Sequence, residues 1–256
     1  LLAPVIALIL GATAPPVTAG EISEAEVFFE FNSTDLDLGF DILLDGDPWS
    51  YATVTNDDGT IFFVDTGEGL FKKGNTEIVT ESAEPPFCED PEECSDDEIN
   101  EAIETFQKEF PEGDYEFYVE FKDGTIAREI VTLEHDLPAA PKIRWPRAGV
   151  SIRRIKSIRW KDTSEPGDSE IISYEVVAEM VIDGETFKNT AILPGNAKKL
   201  TIPPEFMRLA KRAKRGGDLE EFKVEIVARG ENLNKTITEV PVFELEEEEE
   251  EEEEEE

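Results

Sequence analysis

The stretch IISYEVVAEM, Ile171 to Met180, reads as a β-strand, because isoleucine, valine and tyrosine suit a pleated, part-buried backbone. It is one of six such runs separated by turn residues. The others are Ser151 to Trp160 (SIRRIKSIRW), Glu185 to Leu193, Lys198 to Ile202, Glu221 to Ala228 and Lys235 to Phe243. Short strands at regular intervals are the pattern of an all-β sandwich.

Upstream of this region the runs are also β-like. EVFFEFN (Glu26 to Asn32), Phe40 to Leu44, Ser50 to Thr55, Thr60 to Asp65 and Thr76 to Glu81 are strand candidates. Asn56-Asp57-Asp58-Gly59 supplies a hairpin turn, since Asp-Gly tolerates the positive φ that tight turns require. Asp45-Gly46-Asp47-Pro48 reads as a second turn. One helix is expected near 96–109: Ser95 can cap it, Asp96, Asp97 and Glu98 complement its positive end, and Ile99, Ala102, Ile103 and Phe106 recur at helical spacing. Two further strands, Tyr115 to Lys122 and Thr125 to Leu133, follow. The proline-bearing segment 134–149 reads as a linker merging into an edge strand.

The expected class is therefore mainly β: an acidic β-rich domain with one helix over 21–137, then a β-sandwich over 138–245. Residues 1–20 have the apolar run, small residues and prolines of a secretory signal, and the run is too short for a membrane span. That points to an exported protein, periplasmic or extracellular. Glu246 to Glu256 is an unbroken glutamate tail that self-repulsion keeps solvated and disordered.

The order Trp160, Tyr174 in SYEVVAEM, LPGNAKKLTIPPEF and EFKVEIVARGENLNKT resembles a fibronectin type III domain. The resemblance implies a sandwich with Trp160 and Tyr174 on its inner face and Val224 and Ala228 on the penultimate strand. Phe222 stands where that family usually has a corner tyrosine, and FMRLAKRAKRGGD is a basic insertion in place of a short turn. The two-part chain, from FEFNSTDLDLGFDILLDGDPW through FPEGDYEF and HDLPAAP, is similar to a group of uncharacterised secreted bacterial proteins. That likeness carries no activity with it, and a redesigned version of such a chain fits the glutamate tail equally.

Charge divides the chain. The formal net charge is −37, with about −29 on residues 21–141, +3 on 142–245 and −11 on the tail. The front half should repel nucleic acid and anionic lipid, which are bound by basic groups displacing counterions. The back half holds the basic residues Arg153, Arg154, Lys156, Arg208, Lys211 and Arg212, interleaved with Trp145 and Trp160. They can meet an external polyanion or the acidic half of the same chain.

The chemistry-bearing residues are few. His135 is the one histidine and lies in a polar stretch, which leaves Ser or Cys nucleophiles without an obvious base. Cys88 and Cys94 suit a structural disulfide in an oxidising compartment. Asp35, Asp37 and Asp41 alternate around Gly39 like part of a calcium loop, but the spacing departs from the EF-hand pattern; a looser calcium site is the reading. Asn32-Ser33-Thr34 and Asn234-Lys235-Thr236 are glycosylation sequons, which have meaning only in a eukaryotic secretory route and are incidental in a bacterial-looking chain. The function expected is non-enzymatic: binding or structural, as a monomer with no cofactor beyond calcium, engaging a protein or glycan through the sandwich surfaces. The alternatives are a hydrolase using carboxylates of the first domain and a designed chain without function.

Overall fold

The computed structural model describes residues 19–66, 72–88, 93–161 and 169–244. The leader-like segment and the glutamate tail lie outside the described residues. The chain is mainly β, with thirteen strands and two α-helices among the described residues.

The first half contributes β1 (Ile22–Asn32), β2 (Asp37–Asn56), β3 (Gly59–Asp65), β4 (Asn75–Glu81), α1 (Asp96–Gln107), β5 (Gly113–Phe121) and β6 (Ile126–Leu133). The second contributes β7 (Lys142–Trp145), β8 (Ser157–Lys161), β9 (Ile171–Ile182), β10 (Glu185–Pro194), β11 (Lys199–Thr201), α2 (Pro204–Gly216), β12 (Leu219–Gly230) and β13 (Lys235–Glu244). Strands β10, β9, β12 and β13 form one layer of the sandwich, and β11, β8 and β7 the other. Between them Trp160 and Tyr174 meet edge to face, ring centroids 5.4 Å apart, with Phe222 and Val224 buried. This is the fibronectin type III-like β-sandwich that the resemblance implies.

Two hydrophobic clusters form. One fills the sandwich; the other gathers Val27, Phe29, Leu38, Phe40, Trp49, Tyr115 and Phe117 from the first half. A single sheet nevertheless crosses both, because β1 pairs in parallel with β13, Glu30 opposite Lys235 and Phe31 opposite Thr236. The expected linker is thus accompanied by direct strand pairing.

Four local expectations are corrected. Phe40 to Leu44 and Ser50 to Thr55 are parts of one strand, β2, which runs through Asp45–Pro48 with a register shift instead of turning. Gly46 lets it pass under the Glu21 carbonyl, since a Cβ there would lie 2.6 Å from that oxygen. Ser151 to Trp160 is not one strand: a 3-10 turn at Ile152–Arg154 precedes β8. Ile152, Ile155 and Ile158 are all buried: the 3-10 turn carries Ile152, the extended residue after it is Ile155, and β8 carries Ile158, so the break in the strand brings all three to the core. The basic insertion is a helix, α2, with proline in its first turn, Met207, Ala210 and Ala213 buried, and Gly217 at φ 91° ending it.

Helix α1 forms as its sequence predicts. Ser95 and Glu98 complete a reciprocal capping box, and Phe106 packs against Phe29 and Phe110.

Candidate functional site

Helix α2 decides where the positive charge goes. With Met207, Ala210 and Ala213 turned into the core, residues at i, i+3, i+4 and i+7 on another face are Arg208, Lys211, Arg212 and Arg215. Like charges four apart on a helix repel. Lys214 and Arg215 recover part of this by lying at the negative end of the helix; Arg208 and Arg212 do not.

Beside this face the 3-10 turn presents Arg153. Arg153, Arg208, Leu209, Lys211, Arg212 and Arg215 line a concavity of about 770 Å³. An adjoining one of about 590 Å³ is lined by Arg153, Lys211, Lys214 and Arg215 with Ile152, Val242 and Phe243. No acid is among these lining residues. Arg208 bonds Glu205 at 2.9 Å, both side chains being exposed, and Lys214 Nζ lies 3.2 Å from the Phe243 ring centroid. Such a surface suits multidentate contact with carboxylate, sulfate or phosphate groups.

The structure therefore joins four of these six basic residues, Arg153, Arg208, Lys211 and Arg212, and Lys214 and Arg215 of the same basic insertion lie with them. Arg154 instead stacks over Trp145 at 5.9 Å, and Lys156 lines neither concavity.

The acidic residues assemble elsewhere. Asp35 sits in the β1–β2 turn, accepting from Asn32 Nδ2 at 2.9 Å. Asp37 and Asp41 lie on β2 to either side of Gly39. Asp41 is 6% exposed, and burial, with the charges of Glu30 and Glu81, pushes its carboxyl up to about 7. Glu84 is pushed up to about 8 by burial, by a hydrogen bond to Glu81 and by the Glu81 charge. Asp37 is raised by burial and by Asp35. Among the described residues no group of three or more His, Cys, Asp or Glu side chains is placed to hold a metal ion.

His135 is held structurally. Its Nε2 lies 2.8 Å from the Phe110 carbonyl and its ring packs edge-on against Phe29. Cys88 and Cys94 are paired, Cα atoms 6.0 Å apart. Asn234 is fully buried and hydrogen-bonded, and so presents no side chain to a glycosylating enzyme. No described helix is long and apolar enough to cross a membrane.

No family model matches the chain, and no curated protein matches it. Among solved structures it is similar to the fibronectin(III)-like modules of Clostridium thermocellum CbhA, at 11% identity and TM-score 0.30, covering 90% of this chain and 97% of that one. A bacterial ice-binding adhesin matches at 12% identity and TM-score 0.24, over 86% of this chain and 64% of that one. Chicken CNTN1 FN1-FN3 domains match at 7% and 0.29, over 86% and 64%. The chain thus spans less than two thirds of the adhesin and CNTN1 chains.

Proposed function

We propose that the chain is an exported, non-enzymatic binding protein whose sandwich presents its α2 face to an anionic partner, a glycan or protein bearing a row of carboxylate, sulfate or phosphate groups. The observation that supports this most is the concavity lined by Arg153, Arg208, Lys211, Arg212 and Arg215 without an acid. Keeping Arg208 and Arg212 one turn apart costs helix stability, and a bound polyanion offsets that cost. On a chain of net charge −37, the local positive charge of this face draws a negative partner.

The test is binding of heparin, as a model sulfated glycan, by titration calorimetry at low salt. Arg208→Ala with Arg212→Ala should weaken it at least about tenfold, because two charge-assisted contacts of roughly 1 kcal/mol or more are removed. Binding should also fall with added salt. Equal binding by the double variant, with its fold intact by circular dichroism, refutes the reading.

A further inference from the structure

We propose that the carboxylates gathered over Gly39, those of Asp41, Glu81 and Glu84 with Glu30 at the rim, form a binding site for a divalent, oxygen-seeking cation of the calcium class.

The strand registers put these groups together. Leu38, Phe40 and Ile42 of β2 point into the first core, so Gly39 and Asp41 face the other way. On that outer face Gly39 stands opposite Glu30 of β1, and Asp41 opposite Glu81 of β4. Gly39 supplies the room. A Cβ on it would lie 2.5 Å from Glu84 Oε1 and 2.9 Å from Glu81 Oε1, so both glutamates occupy the space a side chain would fill.

Asp41 points to a missing positive group. It is 6% exposed, and its Oδ2 is buried without a hydrogen-bond partner. A buried carboxylate oxygen left unpaired is costly, and native structures satisfy such atoms. Lys235 is the ammonium beside the cluster, but its Nζ is bonded to Glu30 at 2.8 Å and lies 4.2 Å from the Phe28 ring centroid. Asp41, Glu81 and Glu84 remain together with more negative charge than this lysine offsets.

The donor set names the ligand class. Carboxylate oxygens without nitrogen or sulfur suit calcium, whose coordination is flexible, over zinc. Magnesium requires near-ideal octahedral geometry, which this open set does not provide. Among the described residues no three acids stand close enough to hold an ion, so binding requires the carboxylates of Glu81 and Glu84 to draw closer to Asp41 by side-chain rotation. Asp35, engaged with Asn32 in its turn, takes no part.

Thermal unfolding of the full chain at fixed pH, in millimolar calcium against a chelator, tests the site. Calcium at a hundredfold excess over its Kd should raise the Tm by about 5 °C or more, with a smaller effect from magnesium. Glu84→Gln should lose most of the rise and Asp35→Asn should keep it. The diffuse attraction of calcium to the glutamate tail is common to all three proteins and cancels in the comparison. Titration calorimetry gives a second readout, one strong site per chain that Glu84→Gln removes. No calcium shift, an equal shift in Glu84→Gln, or a shift lost in Asp35→Asn overturns the proposal.

Discussion

Asn234 and Phe29 stand 205 residues apart in sequence, yet Asn234 Oδ1 accepts the Phe29 N–H at 2.8 Å. The Nδ2 of the same amide donates to the carbonyls of Glu134 and Asp136, at 2.8 and 2.9 Å. One buried side chain therefore ties β1, the connecting segment and the start of β13. Thr236 adds a bond to the Pro138 carbonyl at 2.7 Å. Asn234→Ala should leave the Phe29 donor and the Glu134 carbonyl without this partner, while the Asp136 carbonyl keeps its bond from Asn232 Nδ2, and should destabilise the protein by about 2–3 kcal/mol, read from urea unfolding. Asn234→Asp should also destabilise, because a carboxylate facing two carbonyls has nothing to donate.

The two halves also meet through charge. Arg229 bonds Glu26 at 2.6 Å and Lys235 bonds Glu30 at 2.8 Å, all four side chains being at most about one third exposed. Removing Arg229 alone strands the nearly buried Glu26, so Arg229→Met should cost more than Glu26→Gln with Arg229→Met together. A double-mutant cycle should return a coupling of about 1 kcal/mol. Because hydrogen-bonded strand pairing accompanies these ion pairs, small-angle scattering at 1 M salt should give the same radius of gyration as at low salt.

The carboxylates over Gly39 set a pH dependence. The folded chain holds protons on Asp41 to about 7 and on Glu84 to about 8, whereas an unfolded carboxyl releases them near 4. Their contribution to stability is complete below pH 4 and lost as pH rises through 7 to 8. In chelator, the Tm should fall between pH 5.5 and 8.5, and Asp41→Asn should flatten that fall.

The Cys88–Cys94 pairing predicts an intact mass lower by two hydrogen atoms without reductant than after full reduction. Its loop is short, with a sequence separation of 6, so Cys88→Ser with Cys94→Ser should cost about 2 kcal/mol at most. A stability change confined to the segment before α1 would show as faster hydrogen exchange there.

Much of the β architecture was legible, and the misses have physical causes. Helix α1 could be read because Ser95, Glu98 and the Ile99–Phe106 repeat agree. Helix α2 was obscured by its charges, although Pro204, Gly217 and the spacing of Met207, Ala210 and Ala213 were its signals. The isoleucines of SIRRIKSIRW recur every third residue, a period that belongs to neither strand nor α-helix. For the candidate sites, helical spacing on α2 explains the basic cluster. The acidic cluster needed the register of β2 with β1 and β4, which brings Glu30 and Glu81 to β2 and leaves Asp35 in its turn. Asn234 reads as a sequon in sequence, and its burial depends on a partner strand 205 residues away.

The parallel pairing of β1 with β13 has a mechanical consequence. Tension applied at Ile22 and Glu244 would pull the two strands lengthwise past each other, since the start of one and the end of the other lie at opposite ends of the pair. The bonds around Glu30–Lys235 and Asn32–Ile237 would then be loaded together in shear rather than opened one at a time. A chain built this way resists stretching at the seam between its two cores.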